Sequence, residues 1–193
     1  MENACPCVVV YCASSTEIDS CYFEAAAKLG RLLAKNGTEC VTGAGREGLM
    51  GELNDSLLKH GGRAVGVIPK FMVDAGWCHN HLTETIVTST IHERKEKMAQ
   101  KAYAAIALPG GVGTLEELAE IITWKQLGLF NKPVILLNTN NYYDSFLKFL
   151  EVMVNEKFLN LEYSDLLNVV STPEDVIDLL NKDSDWHPSL SKY

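Results

Sequence analysis

Short runs of apolar residues alternate along the chain with longer segments in which apolar side chains recur every three or four positions. The short runs are rich in β-branched residues, which is typical of buried β-strands. In the longer segments the spacing is helical, as for Ala26, Leu29 and Leu33. The pattern predicts strands over residues 8–12, 39–42, 64–68, 84–90, 104–108, 134–137 and 167–170. It predicts helices over residues 23–33, 49–58, 92–102, 114–127, 143–156 and 173–181.

Strands that alternate with helices form βαβ units, whose strands lie parallel in one sheet. Nearly continuous apolar strands indicate a sheet covered by helices on both faces. The sequence therefore predicts an α/β fold: a single doubly wound, Rossmann-like domain over residues 1–193, with a mostly parallel sheet of about seven strands. Residues 1–6 and 183–193 are expected to be loose termini. Ligands of such folds bind at the carboxyl ends of the strands, where two glycine-rich loops and Ser14-Ser15 fall.

Composition and charge narrow the possible partners. The net charge of −8 over 193 residues argues against nucleic acid, whose binding rests on many Lys and Arg contacts to phosphate. No apolar run approaches the roughly 18–20 residues of a membrane span, and no basic region precedes the first one, as it would in a signal peptide. The six cysteines show neither paired CxxC spacing nor a Cys/His ligand set. We expect a cytoplasmic protein with free thiols, without membrane, metal or cofactor.

The most informative segment is residues 109–117, Pro-Gly-Gly-Val-Gly-Thr-Leu-Glu-Glu. It follows a predicted strand and opens a predicted helix, so unpaired backbone N–H groups converge at a helix N-terminus, a ready site for a phosphate. Glu117 places a carboxylate beside that anion, where the sugar of a nucleotide would lie. A simpler alternative is a capping box, with Thr114 as N-cap and Glu117 at N3. The glycines exceed what a cap needs, which favours close approach of a ligand.

A second glycine-rich loop, residues 43–48, fits the dinucleotide-binding pattern GxGxxG between a strand and a helix. That pattern also calls for an acidic residue about 20 positions on, to hold the ribose. Here the next strand ends Val67-Ile68-Pro69-Lys70, without a carboxylate. Two alternatives to a dinucleotide site stay open: the loop lines a nucleotide phosphate, or its glycines serve tight packing alone.

Arg94 is the candidate cation of the site. It lies four residues before Met98 and shares a helix face with it, and Met98 and Ala102 are expected to point inward. A guanidinium at the edge of an apolar face has an anion to meet; the alternative is a surface ion pair with a nearby Glu. We interpret His92 as a cap or surface residue. The segment 77–81, with Trp77 and two histidines, is interpreted as the wall of a binding site rather than as a metal site.

These motifs resemble a known family. Residues 109–117 resemble the PGGxGTxxE signature of the LONELY GUY (LOG) proteins, and residues 92–95, His-Glu-Arg-Lys, resemble their Arg-Lys signature. Residues 45–51 resemble their first glycine loop, and residues 11–15 and 66–69 also fit. The resemblance extends from about residue 8 to about residue 143, and two spaced motifs together are specific.

The resemblance implies a phosphoribohydrolase, which hydrolyses the N-glycosidic bond of a cytokinin riboside 5′-monophosphate, or of AMP, to free base and ribose 5-phosphate. It implies Arg94 and Glu117 as catalytic residues and a homodimer with the site near its interface. Contacts to substrate and phosphate are implied for Ser15, Gly45, Lys95, Gly110, Gly111, Gly113 and Thr114. The family's older label, lysine decarboxylase-like, is discounted, since no lysine with a pyridoxal phosphate environment is evident.

Two positions depart from the family pattern. Ala44 replaces the middle one of three glycines, and its methyl group is expected to narrow the site. Ile91 stands where a Met often precedes the signature His, which affects the base pocket. Two further functions stay open: a nucleotide-binding module without turnover, and an NAD(P)-dependent enzyme, which the missing ribose carboxylate disfavours. The sequence also leaves open whether Arg94 pairs with phosphate or orients the leaving base.

Overall fold

Seven strands form one sheet in the part of the chain that the computed structural model describes, residues 6–159 and 163–182. The strands are β1 (Cys7–Tyr11), β2 (Glu39–Thr42), β3 (Ala64–Pro69), β4 (Glu84–Thr88), β5 (Ala104–Ala107), β6 (Val134–Leu137) and β7 (Asn168–Val170). Their order across the sheet is β4-β3-β2-β1-β5-β6-β7, and every neighbouring pair is parallel.

Helices cover both faces of this sheet. They are α1 (Ser20–Lys35), α2 (Gly48–Lys59), α3 (Lys70–Asp74), α4 (Ile91–Lys101), α5 (Val112–Gln126), α6 (Asp144–Asn155), α7 (Tyr163–Leu166) and α8 (Pro173–Leu180). Alternate residues of β1 point to opposite faces: Val8 joins one apolar cluster with Leu29 of α1, and Val9 joins another with Met98 of α4. Burial on both faces explains why the strands are apolar without interruption.

The α/β fold class and the parallel sheet are confirmed, and each predicted strand agrees with the observed one to within two residues. α3 is a departure, because it lies where the sequence predicted an irregular segment. The alternative of a capping box at Thr114 and Glu117 does not form: α5 begins at Val112, two residues before the predicted start, with Gly111 as its N-cap and without a side-chain cap. A capping box does form at Thr172. Residues 1–5 and 183–193, most of the predicted loose termini, lie outside the described residues.

The order of the strands creates a crevice at the carboxyl end of the sheet. From β1 the chain proceeds outward to β4 and then returns to β5 on the other side of β1, which makes β1 and β5 the topological switch point. The N–H of Ala13, after β1, donates to the carbonyl of Pro109, after β5, over 3.2 Å. The carbonyl of Ala13 accepts from the N–H of Met50 in α2. The loops after β1, β2 and β5 therefore meet at one place.

Candidate active site

Arg94 lies at the carboxyl end of the sheet and is held there by two contacts, one to β3 and one to α5. It lies in the first turn of α4, which begins after Thr90, whose side chain accepts a hydrogen bond from the N–H of Glu93. The Arg94 Nε donates to the carbonyl of Val67 in β3 over 3.0 Å. Its Nη1 lies 3.2 Å from Oε1 of Glu117, and only 12% of the arginine side chain is exposed. The guanidinium is thus fixed in orientation before any ligand arrives.

Gly43 provides the space for this guanidinium. A Cβ at Gly43 would lie 1.8 Å from Arg94 Nη2, far closer than two atoms that are not bonded can approach. The glycine is required by close approach of the arginine. Gly45 likewise lies against Met50, whose Sδ accepts from its N–H over 2.9 Å. Packing within the protein therefore explains Gly43 and Gly45 of the loop 43–48, the loop that fits the dinucleotide-binding pattern.

Glu117 is the carboxylate of the site, in α5, and 9% of its side chain is exposed. Burial raises the pKa of Glu117, while the charge of Arg94 acts in the opposite direction without cancelling the effect. Burial, together with the charge of Glu117, also raises the pKa of Tyr11 and of Cys12. Tyr11 and Cys12 are therefore both held in their neutral forms.

Lys95 follows Arg94 in α4 but points elsewhere. Its Nζ lies 2.5 Å from Oε1 of Glu116 and 3.0 Å from Oε1 of Glu120, both in α5. Burial alone would lower the pKa of Lys95, but the hydrogen bonds to the two carboxylates outweigh it and the pKa is raised. The Lys95 amine thus contacts two carboxylates rather than the glycines of segment 109–117. A contact between Lys95 and a phosphate stays a prediction.

Residues 110–114, which span the end of the loop after β5 and the first turn of α5, contribute five backbone N–H groups. Among the described residues, none of these five N–H groups donates to another backbone or side-chain atom. A Cβ at Gly110 would lie 2.1 Å from Thr114 Oγ1, so the loop folds tightly onto the first turn of α5. Among the described residues, a Cβ at Gly111 or Gly113 would have no heavy atom within 4 Å. The protein itself therefore leaves open space beside these two glycines.

A pocket of about 510 Å³ opens next to Arg94. Its apolar walls are Met50, Ile68, Met72 and Trp77. Its other lining residues are Ser14, Gly43, Gly45, Arg46, Glu47 and Arg94. Among the predicted site residues outside segment 109–117, Gly45 and Arg94 line this pocket. Ser15 does not line it, but it is exposed and follows the lining residue Ser14.

Trp77 reaches the pocket because its loop is fastened to the loop after β2. The carbonyl of Trp77 accepts from the N–H of Arg46, and the N–H of His79 donates to the carbonyl of Ala44. His79 Nε2 lies 3.0 Å from Oδ1 of Asp55 in α2. In residues 6–159 and 163–182 no cluster of His, Cys, Asp or Glu is arranged to hold a metal ion. Trp77 of this segment lines the pocket, and a wall role for the rest of residues 77–81 stays a prediction.

Comparisons with known proteins cover most of the chain. The family described as "Possible lysine decarboxylase" matches residues 50–180. The cytokinin riboside 5′-monophosphate phosphoribohydrolase LOG4 of Arabidopsis thaliana is 38% identical over 184 residues, which cover 95% of this chain and 86% of that protein. The phosphoribohydrolase LOG of Oryza sativa subsp. japonica is 44% identical over 152 residues, 79% of this chain and 63% of that protein. This chain belongs to the LONELY GUY family.

A solved structure supports the fold of this LOG protein. The molybdenum cofactor binding protein of Rippkaea orientalis superposes with a TM-score of 0.69 over 91% of this chain and 94% of that one, at 24% identity. At that identity the likeness concerns the fold alone. Among the described residues, no helix combines the length and the apolar character needed to cross a membrane.

Ala44 is the position where this LOG protein departs from the expected three glycines. Its φ is 63°, in the left-handed region that favours glycine, and its side chain is fully buried. The methyl group lies 2.5 Å from the place where Gly66 of β3 would carry a Cβ. It therefore packs against the sheet rather than in the pocket, and the expected narrowing does not occur. Ile91 is likewise absent from the pocket lining.

Sequence reasoning missed three contributors to the site of this LOG protein. The sequence predicted that Gly43 lines a phosphate or serves packing, but not that its missing side chain makes room for the Arg94 guanidinium. Met72 lies on the unpredicted α3. The carbonyl of Val67 fixes Arg94 across 27 residues of sequence, and no sequence pattern marks it. For α3 a signal existed, since Pro69 stands where a proline precedes a helix.

Proposed function

We propose that this LOG protein hydrolyses the N-glycosidic bond of a purine riboside 5′-monophosphate to free base and ribose 5-phosphate. The observation that carries the proposal is the buried contact of 3.2 Å between Glu117 and Arg94, an arginine that lines the apolar pocket. The named activity of the relatives LOG4 and LOG supports it. The label lysine decarboxylase finds no support in this arrangement, whose centre is an arginine–glutamate pair.

In the proposed binding mode the substrate extends from the glycine loop into the pocket. The 5′-phosphate binds the free N–H groups of residues 110–114, with the positive end of the α5 dipole behind them. The ribose lies over Glu117, and the base enters the pocket between Met50, Ile68 and Trp77. A planar purine suits apolar walls of this kind, and the pocket volume exceeds that of the base.

The proposed reaction breaks the C1′–N9 bond of the nucleotide. Positive charge develops on C1′ and the ring oxygen, and Glu117 stabilises it as an anion of fixed position. A water molecule supplies the oxygen that bonds to C1′; one of its protons is lost and the base leaves with a proton on nitrogen. Arg94 holds Glu117 in place and either pairs with the phosphate or orients the base. Each of these two groups contributes on the order of 10²–10³ to the rate.

The proposal is tested by chromatography of the products. Wild-type protein incubated with AMP should release free adenine and ribose 5-phosphate. Glu117→Gln, which keeps the shape and removes the charge, should lower the rate on the order of 10²–10³ while folding normally. Arg94→Ala should also disable turnover. If Glu117→Gln keeps full activity, the role assigned to Glu117 is wrong.

The same assay separates the alternatives. A module without turnover would bind AMP and release no adenine, and an NAD(P)-dependent enzyme would bind NADH in a titration. A panel of AMP, other nucleoside monophosphates and isopentenyl-AMP then identifies the substituent that the pocket accepts. Binding of AMP or NADH, without release of a free base from any nucleotide of this panel, rejects the hydrolase.

We further propose that the protein acts in the cytoplasm as a homodimer. Within the described residues Cys12, Cys21, Cys40 and Cys78 are free thiols, which suits a reducing compartment. The outer side of α5 exposes Val112 to 85% and Leu115 to 41%. Both adjoin the glycine loop, so a second copy that covers them would adjoin the site. Burial of such residues is a driving force for association.

A further inference from the structure

Three successive carbonyl groups of the loop after β5 are held from outside the loop. The carbonyl of Leu108 accepts from the phenol of Tyr143 over 2.7 Å, and that of Pro109 accepts from the N–H of Ala13. The carbonyl of Gly110 accepts from the phenol of Tyr142 over 2.7 Å. No motif of the sequence assigned a role to either tyrosine.

The two phenols reach the loop through a specialised turn. β6 lies beside β5, and after it the chain passes through Asn140 and Asn141, whose φ angles are 53° and 58°. Asn138 fixes the far end of this turn, because its Oδ1 accepts from the N–H of Tyr143 over 2.7 Å. Asparagine is one of the few residues other than glycine that adopt the left-handed region readily, so the sequence suits the turn that leads to the two tyrosines.

Ring contacts hold Tyr142 in this orientation. Its ring meets that of Tyr143 edge to face at 5.0 Å and that of Tyr22 of α1 at 5.9 Å. The side chain is about half exposed, yet it is fixed on both sides. Removal of its phenolic oxygen alone would leave these ring contacts in place.

The geometry of the peptide bond gives these contacts a consequence. In a trans peptide the C=O and the N–H of the next residue point in opposite directions. The phenol of Tyr142 holds the Gly110 carbonyl and thereby turns the N–H of Gly111 to the other side. Tyr143 holds the Leu108 carbonyl, whose peptide partner is Pro109, and proline has no N–H. Two phenols with equal hydrogen bonds thus differ in what they orient.

We propose that Tyr142 is a positioning residue, which directs the N–H of Gly111 toward the phosphate of the substrate, whereas Tyr143 supports the fold alone. This inference rests on the proposed function of the glycine loop. Tyr142 contacts no substrate atom in this assignment. Tyr142 acts through the loop backbone. Loss of its phenolic oxygen weakens binding of the phosphate and leaves the chemistry at C1′ unchanged.

The test compares Tyr142→Phe with Tyr143→Phe, which remove the same oxygen from neighbouring positions. Isothermal titration measures Kd for ribose 5-phosphate and for adenine, and a melting curve measures stability. For Tyr142→Phe we expect Kd for ribose 5-phosphate to rise about three- to tenfold, the worth of one hydrogen bond, with adenine unchanged. For Tyr143→Phe we expect a lower Tm and a Kd within about twofold of wild type.

Two results would overturn the assignment: an unchanged Kd for ribose 5-phosphate in Tyr142→Phe, or an equal rise in both variants. In AMP hydrolysis, Tyr142→Phe should raise KM and leave kcat within about threefold. Binding of ribose 5-phosphate needs no turnover. A wild-type protein that binds ribose 5-phosphate but releases no free base from any nucleotide of the panel therefore rejects the proposed hydrolysis and leaves the titration able to decide on Tyr142.

Discussion

At the scale of single residues, the site depends on one guanidinium with three defined neighbours. Arg94 donates to the carbonyl of Val67, faces Glu117 and occupies the space that Gly43 leaves. The sequence predicted that Arg94 meets an anion at the edge of an apolar face. Its alternative, a pair on the surface, is wrong, because both partners are largely buried. Burial makes the pair sensitive to single methyl groups and single charges.

The pH dependence of activity should follow Glu117. Because burial raises its pKa above the ordinary 4.5, the anion forms at higher pH than in an exposed Glu. If the anion is the active form, kcat/KM rises with pH through that raised pKa. Glu116 contributes to the shift, so Glu116→Gln should move this acid limb to lower pH. An acid limb at or below 4.5 would contradict the assignment.

The raised pKa of Glu117 also predicts how the free energy of unfolding changes with pH. The folded protein binds the Glu117 proton more tightly than the unfolded chain, so protonated Glu117 contributes its full stabilisation below the ordinary pKa. This contribution is lost as pH rises through the raised pKa. Chemical denaturation across this window should show a smaller loss in Glu117→Gln than in wild type. Equal slopes for the two proteins would mean that the carboxylate is not perturbed.

A methyl group at residue 43 should be far more harmful than one at residue 44. Gly43→Ala places a Cβ where Arg94 Nη2 lies, so the guanidinium must move and kcat/KM should fall on the order of tenfold or more. Ala44→Gly removes a methyl group that packs against Gly66 and relieves a left-handed φ, so activity should stay close to wild type. Steady-state kinetics of the two variants measure the contrast. Equal activity of both would show that Arg94 needs no fixed position.

At the scale of elements, α4 and α5 are joined by two kinds of ion contact. Arg94 meets Glu117 toward the pocket, while Lys95 meets Glu116 and Glu120 on a neighbouring line of the α5 surface. Residues 116 and 120 are four apart and share one helix face. Lys95 therefore links α4 to α5 close to the pair Arg94 and Glu117.

Replacement of Lys95 distinguishes support from phosphate binding. Lys95→Met keeps much of the length but leaves two carboxylates facing each other, so unfolding should become easier by about 1–2 kcal/mol. Denaturant titration measures this loss. If Lys95 instead binds the phosphate, stability should hardly change and KM for AMP should rise strongly. Glu120→Gln serves as the control, since it weakens the same cluster and touches no proposed ligand.

At the scale of the whole molecule, the order of the strands assembles the site. The candidates come from the ends of β1, β2 and β5 and from α4, which are adjacent only because the chain reverses direction at β1. Three loops that meet at one switch point can bind a ligand that none of them would hold alone. The exposed side of α5 then lies at the rim of this crevice and is the surface that the proposed dimer would use.

Light scattering after size exclusion tests the dimer. Wild-type protein should show twice the mass of one chain, and Leu115→Glu should shift it toward the monomer, because a charge would be buried in the interface. Val169→Glu is the matched control: Val169 is 39% exposed, close to the 41% of Leu115, but lies on the edge strand β7. A monomeric wild type rejects the homodimer, and equal masses for both variants reject α5 as its interface.

The sequence by itself determined the elements, the fold class and the family. Apolar periodicity depends on which side of an element is buried, and glycine and proline mark where it ends, so both are local signals. Local signals of the same kind also predicted that Arg94 meets an anion and that residues 110–114 carry unpaired N–H groups.

Only the tertiary structure decided the contacts that join distant segments. Whether Lys95 meets a phosphate or Glu116, and whether the Ala44 methyl group points to the pocket or to Gly66, depends on the packing of elements far apart in sequence. The start of α5 was also misjudged, because a threonine followed by a glutamate three residues later reads as a cap. In the fold the Gly110 carbonyl is held by Tyr142 and the helix begins at Val112. Such choices are made by shape and burial, which no short stretch of sequence contains.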